Sequence, residues 1–130
     1  MPSIQMIGWP VVTVSFRRPA TDQDVQQWLA ELTVLLEKQQ PFSMVVEARP
    51  DSRFSPEARK TFGLWFKDYR ALLGDYCCGV ARIVESAEEG ERVVSDNMKK
   101  AMPFPMMAMT ESDQARDWAV KMQRKKEITV

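Results

Sequence analysis

The sequence predicts a single α/β domain over residues 1–130, in the order ββαβαβαβα, with a mostly parallel five-stranded sheet and four helices. Three observations carry this expectation. Short apolar runs of strand length alternate with longer segments whose apolar residues recur at a 3.6-residue period. Each periodic segment opens on a serine or threonine placed to cap a helix. Strands that alternate with helices in this way pair in parallel through right-handed crossovers. A chain of 130 residues can bury roughly two thirds of the surface that its unfolded form exposes, so a real core is expected.

Ile4 to Ile7 and Val11 to Phe16 read as two strands, turned into a hairpin by Gly8-Trp9-Pro10. After Arg17, Arg18 and Pro19, Thr21 and Asp24 have capping-box spacing. Val25, Trp28, Leu29, Leu32, Leu35 and Leu36 then form one apolar stripe of a helix ending near Gln40, before Pro41. Phe42, Met44, Val45 and Val46 make a strand buried on both faces, which stops at the charged loop Glu47 to Arg53. The second helix opens at Ser55, whose hydroxyl can accept a first-turn N–H. Pro56 follows at a position that needs no donor, and Glu57 sits at the positive end of the dipole. Its stripe is Ala58, Phe62, Trp65, Phe66, Tyr69 and Leu73, and Gly74 is its expected stop.

Cys77 to Val84 is the next strand, with Gly79 read as a bulge or a close backbone approach. Ser86 and Glu89 open a third helix, although Gly90 in its first turn weakens it by up to ~1 kcal/mol against alanine. That helix turns Val94, Met98, Ala101 and Met102 inward and closes at Pro103. Phe104 to Met109 is the last strand, with a trans bond expected at Phe104–Pro105. Thr110 with Asp113 opens the final helix, which faces the core through Ala115, Trp118, Ala119 and Met122. Lys121, Arg124, Lys125 and Lys126 are placed in its last turn.

Composition narrows the function classes. Apolar residues make up 45% and charged residues 28%, an ordinary globular balance, and 18 basic residues offset 18 acidic ones. Without a net field, no nucleic-acid partner is expected. The start MPSIQMIGWP lacks the basic and long apolar regions of a signal peptide, and no apolar run approaches the roughly 20 residues of a membrane span. The adjacent Cys77 and Cys78 suit burial in a reducing compartment better than a disulfide, so a cytoplasmic location is expected. Histidine is absent, which removes the commonest general base and metal ligand. Catalysis would then fall to Glu47, Asp51 or Glu85, to lysine or to a bound cofactor. The sequence assigns no catalytic residue, metal or cofactor.

Large apolar side chains also carry information. Met98, Met102, Met106, Met107 and Met109 are spread over a helix stripe and a strand and read as core packing, deformable enough to admit a small apolar ligand. Trp28, Trp65 and Trp118 lie on helix stripes and fill the sheet and helix interface, whereas Trp9, in a turn, marks a contact surface.

The hairpin leading into three βα units, together with the closing helix from Thr110 to Trp118 in MTESDQARDWAV, resembles the bacterial SpoIIAA-like proteins, a group related to the STAS and SEC14-like folds. The resemblance implies the sheet order 1-3-2-4-5 with the first strand antiparallel, and helices that cover the two faces unequally. It further implies that a serine following an aspartate at the start of the second helix is phosphorylated to switch a partner. Here that position is Asp51 with Ser52, or Ser55, and Arg53-Phe54-Ser55-Pro56-Glu57 replaces the usual small, glycine-containing segment. Phosphate would add about two negative charges at a helix N-terminus.

On that order, ligands are expected at the carboxyl edge of the sheet, where crossovers diverge between the second and fourth strands. The edge would collect Arg17, Arg18, Glu47, Arg49, Asp51, Ser52, Arg53, Glu85, Ser86, Thr110 and Ser112, with Ser55 at the adjoining helix start. Arginines beside helix N-termini can hold a phosphate or carboxylate, and a surface salt-bridge network is the bland alternative. The expected function is a non-enzymatic cytoplasmic regulatory or protein-interaction module that binds a protein partner or a second copy of itself. The alternative is a carrier of a small apolar or amphipathic, lipid-like ligand.

Overall fold

The computed structural model of the protein describes residues 3–129, the side chains of residues 127–129 excepted. Within them the chain forms five strands and five helices: β1 (Ile4–Ile7), β2 (Val11–Phe16), α1 (Asp22–Glu37), β3 (Phe42–Ala48), α2 (Pro56–Tyr76), β4 (Cys77–Ile83), α3 (Ala87–Val93), α4 (Asp96–Ala101), β5 (Met106–Met109) and α5 (Ser112–Thr129). One sheet holds all five strands in the order β1-β2-β3-β4-β5, with β1 antiparallel to β2 and the rest parallel.

This order corrects the expected 1-3-2-4-5. The hairpin itself excludes that order, because the three-residue connection Gly8-Trp9-Pro10 pairs Ile7 directly with Thr13 and leaves no space for a strand between them. Gly8 takes φ +99°, where a Cβ would stand 2.7 Å from the Val11 carbonyl oxygen, and the Trp9–Pro10 bond is cis. Since each crossover steps to the next strand in the same direction, right-handed connections put their helices on one face. The diverging crossovers that motivated a ligand crevice are therefore missing from this sheet.

The first face carries α1, α2 and α3. Val12, Val14, Phe42, Met44 and Val80 point into it and meet Val25, Trp28, Leu29, Leu32 and Leu36 of α1 and Ala58 and Leu73 of α2. Thr21 closes a full capping box with Asp24, so α1 starts where its residues dictate. Gly74 does not end α2. It gives Pro103 room, with a Cβ position only 3.4 Å from the proline Cβ, and the helix runs on to Tyr76 before β4 begins at once. Rather than one helix to Met102, the chain makes two, and the helix count rises from four to five. Ser95 is extended and accepts from the Met98 N–H, so a second N-cap restarts the helix after the buried Val94. Ala101, expected inward, is exposed, and β5 begins at Met106, two residues later than expected.

Among the described residues the second face is covered by α5, packed chiefly on β4 and β3. Its contacts are small: Ala115 and Ala119 meet Val11, Val45 and Ala81, and the Ser43 hydroxyl donates to the Ala119 carbonyl at 2.7 Å. Gly79 serves both expected purposes. It lies where β4 gains a residue against Phe42–Met44 of β3, and it lets Trp118 approach the backbone. The helix continues to Thr129, so its last turn holds Lys126, while Lys121, Arg124 and Lys125 lie further in. Lys126 donates to the Gly74 carbonyl at 3.0 Å, tying the end of α5 to α2.

Candidate functional site

Alternation along the strands aims Ser15 and Glu47 toward the α5 face at the carboxyl edge, and parallel register sets them side by side. The Ser15 hydroxyl donates to Glu47 Oε1 at 2.6 Å. Arg17 and Arg49 follow directly, their positions fixed by backbone bonds from Arg17 N–H to the Ser3 carbonyl at 2.8 Å and from Arg49 N–H to the Phe16 carbonyl at 2.9 Å. Glu85 leaves β4 alongside them, its N–H donating to the Glu89 carboxylate at 3.2 Å. Ser15, Arg17, Glu47, Arg49, Glu85, Glu89 and Thr110 line a groove of about 670 Å³. Arg17, Glu47, Arg49, Glu85 and Thr110 of the sequence-derived edge are thus brought together.

The others lie outside this groove, for identifiable local reasons. Ser52 turns the rim loop, its N–H and hydroxyl both donating to the Arg49 carbonyl at 3.0 and 2.6 Å. The Arg53 carbonyl accepts from Ala20 N–H at 2.9 Å, and Ser55 N–H donates to the Ala20 carbonyl at 3.1 Å. This short bridge seats Phe54 against Phe16, Trp28 and Phe62. Ser55 and Ser86 are helix caps, accepting from Ala58 N–H and Glu89 N–H, each at 3.1 Å. Ser112 opens α5. Arg18 and Asp51 do not line the groove either.

Two polar groove residues lie outside the expected edge. Ser15 was hidden in an apolar strand, where its polarity in VVTVSF was the available signal, and Glu89 was read only as a capping residue.

No family model and no curated protein matches the chain. Among solved structures, the chain resembles the crystal structure of an uncharacterised DUF3478-family protein with a SpoIIAA-like fold from Shewanella loihica PV-4. The two agree with a TM-score of 0.70 at 14% identity, over 89% of this chain and 91% of that one. The fold is SpoIIAA-like. In this SpoIIAA-like domain the rim loop and the start of α2 stand beside the carboxyl-edge groove.

Charge in the SpoIIAA-like domain is mixed at this edge, with two arginines and three glutamates lining one groove. On the first face of β4, burial lowers the Arg82 pKa, Glu89 counteracts the shift, and Arg82 Nε is buried without a hydrogen-bond partner. Elsewhere, burial pushes the Cys77 thiol up to about 12, so it is no thiolate nucleophile near neutral pH. Among the described residues no group of three or more Cys, Asp or Glu side chains is placed to hold a metal, and no helix is long and apolar enough to cross a membrane. Met107 and Met109 border a separate depression of about 770 Å³ beside β5 that also carries Glu91, Asp96 and Lys99.

Proposed function

We propose that this chain is a non-enzymatic, cytoplasmic regulatory module that works by docking a protein partner at the carboxyl edge of its sheet. One observation carries the reading: exposed charges of both signs, Arg49 with Glu47 and Glu85, stand on a rim anchored by strand register and backbone hydrogen bonds. Such an array favours a partner with the complementary pattern and rejects others by like-charge contact. The rim loop and the α2 start extend the same surface, and a phosphate on Ser52 or Ser55 would change its charge beside the groove. The equal totals of basic and acidic residues support a protein partner over nucleic acid.

Affinity capture from the native host with the wild type and with Arg49→Glu tests the reading. A stoichiometric partner should bind the wild type, weaken as salt rises, and be lost from the charge-reversed variant. Capture unaffected by Arg49→Glu and by Glu47→Arg would move the contact elsewhere. Turnover of a substrate by the partner-free protein would replace the reading with an enzymatic one.

A further inference from the structure

At the opposite end of the molecule, the second face of the sheet is incompletely covered. Helix α5 packs chiefly on β4 and β3, and the hairpin of β1 and β2 extends past it. Ile7 points to this side because it pairs with Thr13, and Val11 because it packs against Ala115 and Ala119 of α5. On α5, Arg116, Val120, Gln123 and Arg124, at offsets 0, 4, 7 and 8, share the helix face turned toward them. A groove of about 600 Å³ lies between, inside the range of about 300–1,000 Å³ typical of small-molecule sites.

Three features set its chemistry. Apolar side chains form its floor, where Ile7 is 59% exposed beside Val11 and Val120, while the Trp9 ring at its end stacks on Phe42 beneath the Lys38 ammonium. Its charged lining is of one sign, Arg116 and Arg124, with no carboxylate among the lining residues. The carboxyl-edge groove and the β5 depression both contain acids. Finally, Gln123 is 95% buried in its inner wall and its Nε2 has no hydrogen-bond partner, so a donor stands unmet beside the apolar floor.

We infer that the groove between the β1–β2 hairpin and α5 is a binding site for a small free amphipathic anion, an apolar body ending in one carboxylate. The apolar body covers Ile7 and Val120, and the guanidinium groups of Arg116 and Arg124 take the carboxylate. Charge complementarity selects this occupant over a neutral or cationic one, since an arginine fork matches a carboxylate with paired hydrogen bonds. The site is separate from the proposed partner surface, so either can fail alone.

Isothermal titration of the full chain with decanoate, decan-1-ol and decylamine, each below its micellisation threshold, tests the inference. Decanoate should bind saturably with one site per chain, and the alcohol and the amine at least about tenfold more weakly. The double variant Arg116→Gln/Arg124→Gln alters only exposed positions and should weaken decanoate by about tenfold while leaving the circular dichroism unchanged. Equal binding of the three ligands would overturn the inference on the unaltered protein alone. Absence of saturable decanoate binding would overturn it as well. So would a wild-type dimer in sedimentation velocity that Ile7→Glu dissociates, because a second copy would then occupy the groove.

Discussion

Trp118 packs so closely on Gly79 that a Cβ at that position would stand 2.7 Å from Cη2 and 3.0 Å from Cζ3 of the indole. This contact sets how near α5 lies to β4, and with it the position of the α5 wall of the hairpin groove.

Gly79→Ala should therefore destabilise the protein by about 1–3 kcal/mol, the usual cost of overpacking. Adding Trp118→Leu should recover part of that loss, because the atoms that meet the new methyl group are gone. Urea unfolding of the two variants and the wild type measures both effects. An unchanged midpoint for Gly79→Ala would mean that α5 stands off the sheet.

Cys77 gives stability a distinct alkaline limit. Burial raises its folded-state pKa from 9.0 to about 12. Below pH 9.0 both states keep the proton and its contribution is fully present. Between 9.0 and about 12 the unfolded chain releases a proton that the folded chain retains, so stability falls by about 1.4 kcal/mol per pH unit. The stability advantage of the wild type over Cys77→Ala should thus narrow between pH 9.0 and pH 10.5 in denaturant titrations. Parallel curves for the two proteins would refute the assignment.

Features written in neighbouring residues were legible in the sequence, and features that depend on distant pairing were not. Thr21 with Asp24 and the stripe from Val25 to Leu36 fix α1 because both signals lie within the helix they describe. The sheet order depends on which strands meet, and the resemblance suggested an arrangement that the three-residue hairpin forbids. Ser95 shows two local signals in conflict: an apolar stripe that continues through it, and a serine whose hydroxyl captures Met98 N–H and restarts the helix. Ser55 and Ser86 were visible as caps, whereas the Ser15–Glu47 bond requires the register of β2 on β3. The hairpin groove joins positions more than a hundred residues apart, and no periodicity in either segment announces it.

The capping box of α1 responds to acid. Asp24 accepts from Thr21 N–H at 3.0 Å, and this bond holds its carboxyl below the ordinary 3.8. A depressed carboxylate pKa stabilises the fold above the unfolded value and loses that contribution as the pH falls through the folded one. Asp24→Ala should accordingly be less stable than the wild type at pH 7, and the difference should shrink once the pH drops below 3.8. Thr21→Ala removes the reciprocal bond to Asp24 N–H, with an expected loss of about 1 kcal/mol. Thermal melts across the acid range follow both.

Ser55 separates a structural role from a regulatory one. Its hydroxyl accepts from Ala58 N–H at 3.1 Å, so Ser55→Ala should lower stability by about 1 kcal/mol, or about 4 °C in melting temperature. Ser55→Asp keeps an acceptor at the cap and adds negative charge at the positive helix end, so its melting temperature should match or exceed that of the wild type. Ser52 donates to the Arg49 carbonyl in a surface turn and supports no helix, and Ser52→Ala should stay within about 0.5 kcal/mol of the wild type. If Ser55→Asp retains the fold and yet loses the partner that the wild type captures, charge at the α2 start acts on docking and not on helix stability. If it melts as low as Ser55→Ala, the capping account of this residue fails.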